Sequence, residues 1–142
     1  MIKDSLKQNL IRKYKKINIC SSTLIIVTLL FLIFYITKGN VWLSIIHFLI
    51  MLFFTFDLIN NFISMNKTFK SINNSDIVLA HIIEINTDNK ITYSHDKNNI
   101  VSSAVVPDNS IYKIGDMIEA VSYREYTLSS SSVRTYIQKF CI

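Results

Sequence analysis

The chain has 142 residues, half of them hydrophobic, with 15 basic and 10 acidic side chains, two glycines, one proline and two cysteines. So few cysteines exclude a disulfide-stapled scaffold, and so little glycine and proline excludes collagen-like and low-complexity chains. The net charge of +5 is unevenly spread: the chain carries +6 through Asp76 and −1 from Ile77 onward. Five of its tyrosines (Tyr93, Tyr112, Tyr123, Tyr126, Tyr136) fall in that second part among few basic residues, so no nucleic-acid platform is expected.

Residues 1–16 form a basic segment in which Ile2, Leu6, Leu10 and Ile11 alternate with lysines, a pattern expected to lie on anionic lipid. Two apolar runs follow, Ile17 to Thr37 and Val41 to Ile63, separated by Lys38, Gly39 and Asn40. About 20 helical residues cross a hydrocarbon core of roughly 30 Å, so residues 17–64 read as a two-helix membrane hairpin. A signal peptide fits poorly, because the first run is too long, lacks a small-x-small cleavage site and leads directly into a second span. Six basic residues precede the first span, Lys67 and Lys70 follow the second, and only Lys38 lies between them. The positive-inside rule then predicts a multi-pass protein of a bacterial inner membrane with both termini cytoplasmic. Cys20 and Cys141 would both face a reducing compartment, and neither has a His or Cys neighbour at metal-binding spacing.

The spans carry a candidate polar seam. In the first, Ser21, Thr28 and Tyr35 recur every seven residues; in the second, His47, Ile50, Phe54, Asp57 and Asn61 follow 3-4-3-4 spacing. An antiparallel hairpin would bring Tyr35 near His47 and Ser21 near Asp57, with a hydrogen bond expected between Tyr35 and His47. A carboxylate inside a span marks a functional site or a packing residue at the membrane boundary, and Asp57 lies only seven residues before Ser64. Trp42, Tyr35 and Tyr14 stand where interfacial aromatic anchors are expected, and Gly39 supplies the tight turn.

Residues 65–76 read as a polar linker, since Asn66, Asn73, Asn74 and Ser75 break the helical pattern. Residues 77–142 read as a small all-β domain of about five strands, a barrel or rolled sheet, with strands expected over 77–86, 91–95, 99–106, 117–123 and 133–140. Asp88-Asn89 and Gly115-Asp116 are turn signals; Gly115 supplies positive φ and Asp116 bonds the local backbone. Ser129 to Ser132 reads as a polar loop. His81 and His95 could be neighbours across the first hairpin, but two imidazoles without a third ligand predict no metal site. No phosphate loop, nucleophile elbow or metal-ligand pair is present in the sequence, so neither catalysis nor a cofactor is expected.

Residues 76–123, with Ala80 in the first strand and Lys113-x-Gly115-Asp116 leading into Val121-x-Tyr123, resemble the small β domains of uncharacterised bacterial membrane proteins; NfeD-like soluble domains share the turn. That family usually continues into Asp-Pro and Asn-Pro after the tyrosine, whereas Arg124 and Glu125 stand here. The resemblance implies an architecture, not an activity. The expected function is a non-enzymatic membrane accessory protein whose hairpin anchors and self-associates and whose β domain binds another protein, with no small-molecule substrate. The alternatives are an immunity or exclusion protein that intercepts a bacteriocin, toxin or phage component through the His47, Asp57 and Asn61 face, and a small ion-conducting oligomer.

Overall fold

A computed structural model describes residues 2–127 and 129–140. Two helices, α1 (Ile2–Thr37) and α2 (Val41–Asn74), precede five strands: β1 (Ile77–Ile85), β2 (Lys90–His95), β3 (Val101–Val105), β4 (Met117–Tyr126) and β5 (Ser131–Lys139). The chain divides into two compact units. One gathers all five strands with the first residues of α1 and the last turns of α2; the other holds the remainder of the two helices. The reading of Cys141 lies outside the described residues.

Both helices are long and apolar enough to cross a membrane. At 36 and 34 residues they measure about 54 and 51 Å, well beyond the roughly 30 Å of a hydrocarbon core. The excess corrects two expectations. The basic segment 1–16 is the start of α1, and of its apolar residues Ile2, Leu6 and Leu10 are buried while Ile11 is exposed. The segment 65–76 is no linker: α2 continues to Asn74, because Thr68 and Ile72, one turn apart, are both fully buried. Tertiary burial outweighs the weak helix propensity of Asn and Ser, worth a few tenths of a kcal/mol each.

In the helical unit the connection is a Schellman turn. The Gly39 N–H bonds the Ile36 carbonyl at 3.0 Å and the Asn40 N–H bonds the Tyr35 carbonyl at 3.0 Å, with Gly39 at φ +69°. Asn40 then caps α2, its Oδ1 accepting the Leu43 N–H at 3.3 Å. The less exposed positions of α1 run Tyr14, Asn18, Ser21, Ile25, Thr28, Leu32, Tyr35, and those of α2 include His47, Met51, Phe54, Leu58 and Asn61. Both rows keep the 3-4 alternation of a coiled-coil seam. Ile50, expected on the seam, is exposed instead, because Met51 takes its place in the alternation.

In the β unit the sheet is antiparallel throughout, in the order β3-β2-β1-β4-β5. It is not closed into a barrel, which corrects that alternative. The sheet curls instead. Its two edge strands, β3 and β5, come into contact with each other. Its concave side holds the core: Ala80, Ile82, Ile91, Tyr93, Ala104, Val106, Ile118, Ala120 and Ile137. β4 and β5 pair from Ile118↔Lys139 to Tyr126↔Ser131, so β4 is three residues longer than expected and Ser131 and Ser132, expected in a loop, belong to β5.

This extension creates a problem that the helix end resolves. β1 pairs β4 only as far as Val121, so residues 122–126 leave one edge of β4 without a strand partner. The last turns of α2 take its place: the Ser71 Oγ accepts the Arg124 N–H at 2.8 Å and the Thr68 Oγ1 accepts the Tyr126 N–H at 3.0 Å. Val121 and Tyr123, which face away from the concave core, are buried as well, and Lys3 Nζ donates to the Asn73 carbonyl at 3.0 Å. Covering a strand edge in this way removes a template for unwanted pairing.

Candidate functional site

One group of polar side chains in the helical unit is built around Asp57. Ser21, buried on the α1 seam, donates from Oγ to Asp57 Oδ2 at 3.2 Å, and Asn61, one turn further along α2, donates from Nδ2 to the same oxygen at 3.3 Å. The heptad position of Ser21 and the i, i+4 spacing of Asp57 and Asn61 bring the three together. A carboxylate accepting two hydrogen bonds is partly compensated for its removal from water. Two side chains that the sequence analysis passed over belong to the same helical unit. Asn18, one turn before Ser21, has a buried Oδ1 without a partner, and Asn60, beside Asn61, has a buried Nδ2 without one. One lacks a donor and the other an acceptor. Their signal in the sequence was present: Asn18 precedes Ser21 by three residues inside the first apolar run, but the seven-residue periodicity drew attention elsewhere.

His47 and Tyr35 form a second group, held by ring contact. Their centroids lie 5.0 Å apart, and Phe31 packs on His47 at 5.6 Å. The expected hydrogen bond between Tyr35 and His47 is replaced by a local one, His47 Nδ1–H to the Leu43 carbonyl at 2.8 Å. An imidazole one turn from a free carbonyl satisfies itself without crossing to the other helix. Thr28 does likewise, donating to the Leu24 and Ile25 carbonyls at 2.9 and 3.0 Å. His47 therefore shares the seam with Asp57 and Asn61 but not their hydrogen-bond group, and no titratable side chain lies between His47 and Asp57 in the sequence.

In the β unit the Gly115-Asp116 turn is tied to β1 where its register shifts, between Ile82 and Glu84. The Gly115 N–H bonds the Ile82 carbonyl at 2.8 Å and the Ile82 N–H bonds the Asp116 carbonyl at 3.0 Å. Gly115 sits at φ +89°, as a left-handed turn position requires. Asp116 Oδ2 takes Lys139 Nζ at 2.8 Å and the Lys113 N–H at 2.9 Å. The Lys139 hydrogen bond, followed by that of Lys113, holds the Asp116 carboxyl below the usual carboxylate range. This is structural chemistry, tying β4 to the end of β5. Burial pushes the Tyr93 phenol up, and burial followed by the charge of Tyr136 does the same for Tyr112, so both stay protonated donors at neutral pH.

The two strand histidines are not neighbours. His81 pairs in register with Ser94 and His95 with Ala80, so alternation sends them to opposite faces of the sheet. His81 Nδ1 meets Asp96 Oδ1 at 3.0 Å, while His95 stacks on Tyr93 at 5.6 Å. Among the described residues no three His, Cys, Asp or Glu side chains gather as metal ligands. Cys20 is an exposed free thiol. Comparison with family models, with curated proteins and with solved structures returned no match, so nothing beyond these residues bears on the assignment.

Proposed function

We propose that the chain is a non-enzymatic accessory protein of a bacterial inner membrane, anchored by the α1–α2 hairpin with both termini cytoplasmic, whose β unit binds another protein. The observation that carries the reading is the exposed first half of the edge strand β5. That half runs from Ser131 to Arg134, with Val133 at 68% exposure, although the other extended edge of the sheet, along β4, is covered by α2. A covered edge beside an exposed one is the arrangement that strand addition by a partner uses. The anchor rests on the length and apolarity of the two helices, and the orientation on Lys67, Lys70 and the six basic residues before Ile17 against Lys38 alone in the turn. The resemblance to small β domains of bacterial membrane proteins accords with this architecture.

The test places a photo-crosslinking residue at Val133 in cells and, as a control, at Lys97 in the β2–β3 loop. A discrete adduct from position 133 alone supports strand-edge recognition; equal labelling at both, or none at 133, removes it. A second reading has its own observation, the Ser21, Asp57 and Asn61 group between two apolar helices. An immunity factor or an ion-conducting oligomer would use that group, and Asp57→Asn would then abolish protection or conductance while crosslinking at Val133 persists.

A further inference from the structure

A cleft of about 430 Å³ lies beside the last turns of α2, and neither reading above uses it. Lys67, Lys70, Ser71, Asn74, Ser75 and Tyr126 line it, so the walls carry two ammonium groups, hydroxyls and an amide but no carboxylate. Neither lysine has an ion-pair partner among the described residues. The acidic residues near in sequence are engaged elsewhere: Glu125 pairs with Arg134 at 3.2 Å, and Asp76 lines a separate cleft with Asp96 and Lys97.

A helix C-terminus ordinarily disfavours an anion, because its last carbonyls point outward with partial negative charge. Here three of those carbonyls are already bonded. Ser71 O accepts the Ser75 hydroxyl at 2.8 Å, Ile72 O the Ser75 N–H at 3.3 Å, and Asn73 O the Lys3 ammonium at 3.0 Å. The Ser71 hydroxyl accepts the Arg124 N–H, which leaves its own proton to donate. What the cleft offers is thus positive charge and hydrogen-bond donors, with three of the four competing helix-terminal carbonyls occupied.

We propose that this cleft binds a phosphoryl anion, carried by a small phosphomonoester or by a phospholipid headgroup, with Lys67 and Lys70 supplying the charge and Ser71 and Asn74 directional donors. Phosphate oxygens match such a set of charged and neutral donors. The inference does not depend on the membrane placement proposed above, since a soluble phosphomonoester tests it directly.

The experiment uses the full chain purified in a neutral detergent. Glycerol 3-phosphate is titrated calorimetrically at 0.15 M chloride, roughly the physiological ionic strength. In parallel, the chain is reconstituted with nanodiscs of phosphatidylcholine with or without phosphatidic acid, and lipid retention is measured by mass spectrometry. Saturable binding in the first arm identifies a free phosphomonoester, and selective retention of phosphatidic acid alone identifies a headgroup. In either case Lys67→Gln/Lys70→Gln should weaken binding on the order of tenfold, as loss of two modest ion pairs implies. Lys97→Gln, which removes the same kind of charge outside the cleft, should leave it unchanged. Circular dichroism of each variant establishes that the fold is retained. Absence of saturable binding in both arms overturns the proposal, as does an equal loss in Lys97→Gln, which would reduce the effect to net charge.

Discussion

Thr68→Val tests the junction between α2 and β4 directly. The substitution keeps the side-chain shape and its burial but removes the oxygen that accepts the Tyr126 N–H at 3.0 Å. That amide lies on the part of β4 that β1 does not reach, so no neighbouring strand can substitute as acceptor. Leaving a buried donor unpaired costs about 1–3 kcal/mol, and because Thr68 is fully buried the middle of that range, about 2 kcal/mol, is expected. For a unit of this size that lowers Tm on the order of 10 °C. Ser71→Ala removes the neighbouring acceptor at an exposed bond, where water replaces it, so its cost should stay within about 0.5 kcal/mol. Thermal unfolding of the full chain in detergent, followed by amide exchange at Tyr126, measures both. Thr68→Ser supplies a control, because it restores the acceptor while deleting a methyl group, and it should recover the protection of the Tyr126 amide. An unchanged Tyr126 exchange rate in Thr68→Val would refute the claim that α2 serves as the missing strand.

Four further outcomes follow from the geometry. A fragment of residues 67–142 should be more stable than one of residues 77–142 by about 2 kcal/mol, the burial value of Ile72 alone, as read by urea unfolding; equal midpoints would make the helix end dispensable. Because the folded-state carboxyl of Asp116 titrates below its unfolded value, its contribution to stability is present above the unfolded pKa and is lost as pH falls through the folded one, so Lys139→Gln should raise the Asp116 pKa in a carbon-detected NMR titration and narrow that acid window. Gly115→Ala should cost about 1 kcal/mol purely through its positive φ, since no atom lies within 4 Å of the added Cβ, and a thermal shift near zero would contradict this. Ser21→Ala and Asp57→Leu should each weaken association of the helices by about 1 kcal/mol in disulfide-crosslinking assays across α1 and α2, and a loss far beyond that would exceed what intramembrane hydrogen bonds supply.

The features legible in the sequence were those set by short-range periodicity. Two apolar runs, the second interrupted only by Asp57, announced both helices, Gly39 their turn, and the Ser21 and Asp57 spacing a hydrogen bond that crosses between them. The alternating segments after Asp76 announced five strands, and Asn89 takes the positive φ that its turn demands. Spacing misled where two alternations overlap. Rows beginning at His47 share Phe54 and Asn61 but separate at Ile50 against Met51, and only burial chooses between them. It also failed for Tyr35 and His47, because a local carbonyl four residues away competes successfully with a hydroxyl on another helix.

The linker was misread for a physical reason that also accounts for the fold. Ser71, Asn73, Asn74 and Ser75 have side chains that bond backbone groups, which is why they favour helix ends and loops when a segment is considered alone. In the folded chain that same capacity is used across more than fifty residues of sequence: Ser71 and Thr68 offer oxygens to β4, and Ser75 closes the helix on its own carbonyls. Local propensity is unchanged, but the groups that satisfy it lie in a strand that no window around residue 70 contains. Two polar residues of the same segment other than those that predicted the break, Thr68 and Ser71, are what let the last turns of α2 dock on an unpaired strand edge. A wholly apolar helix end would leave the amide of Tyr126 without its acceptor.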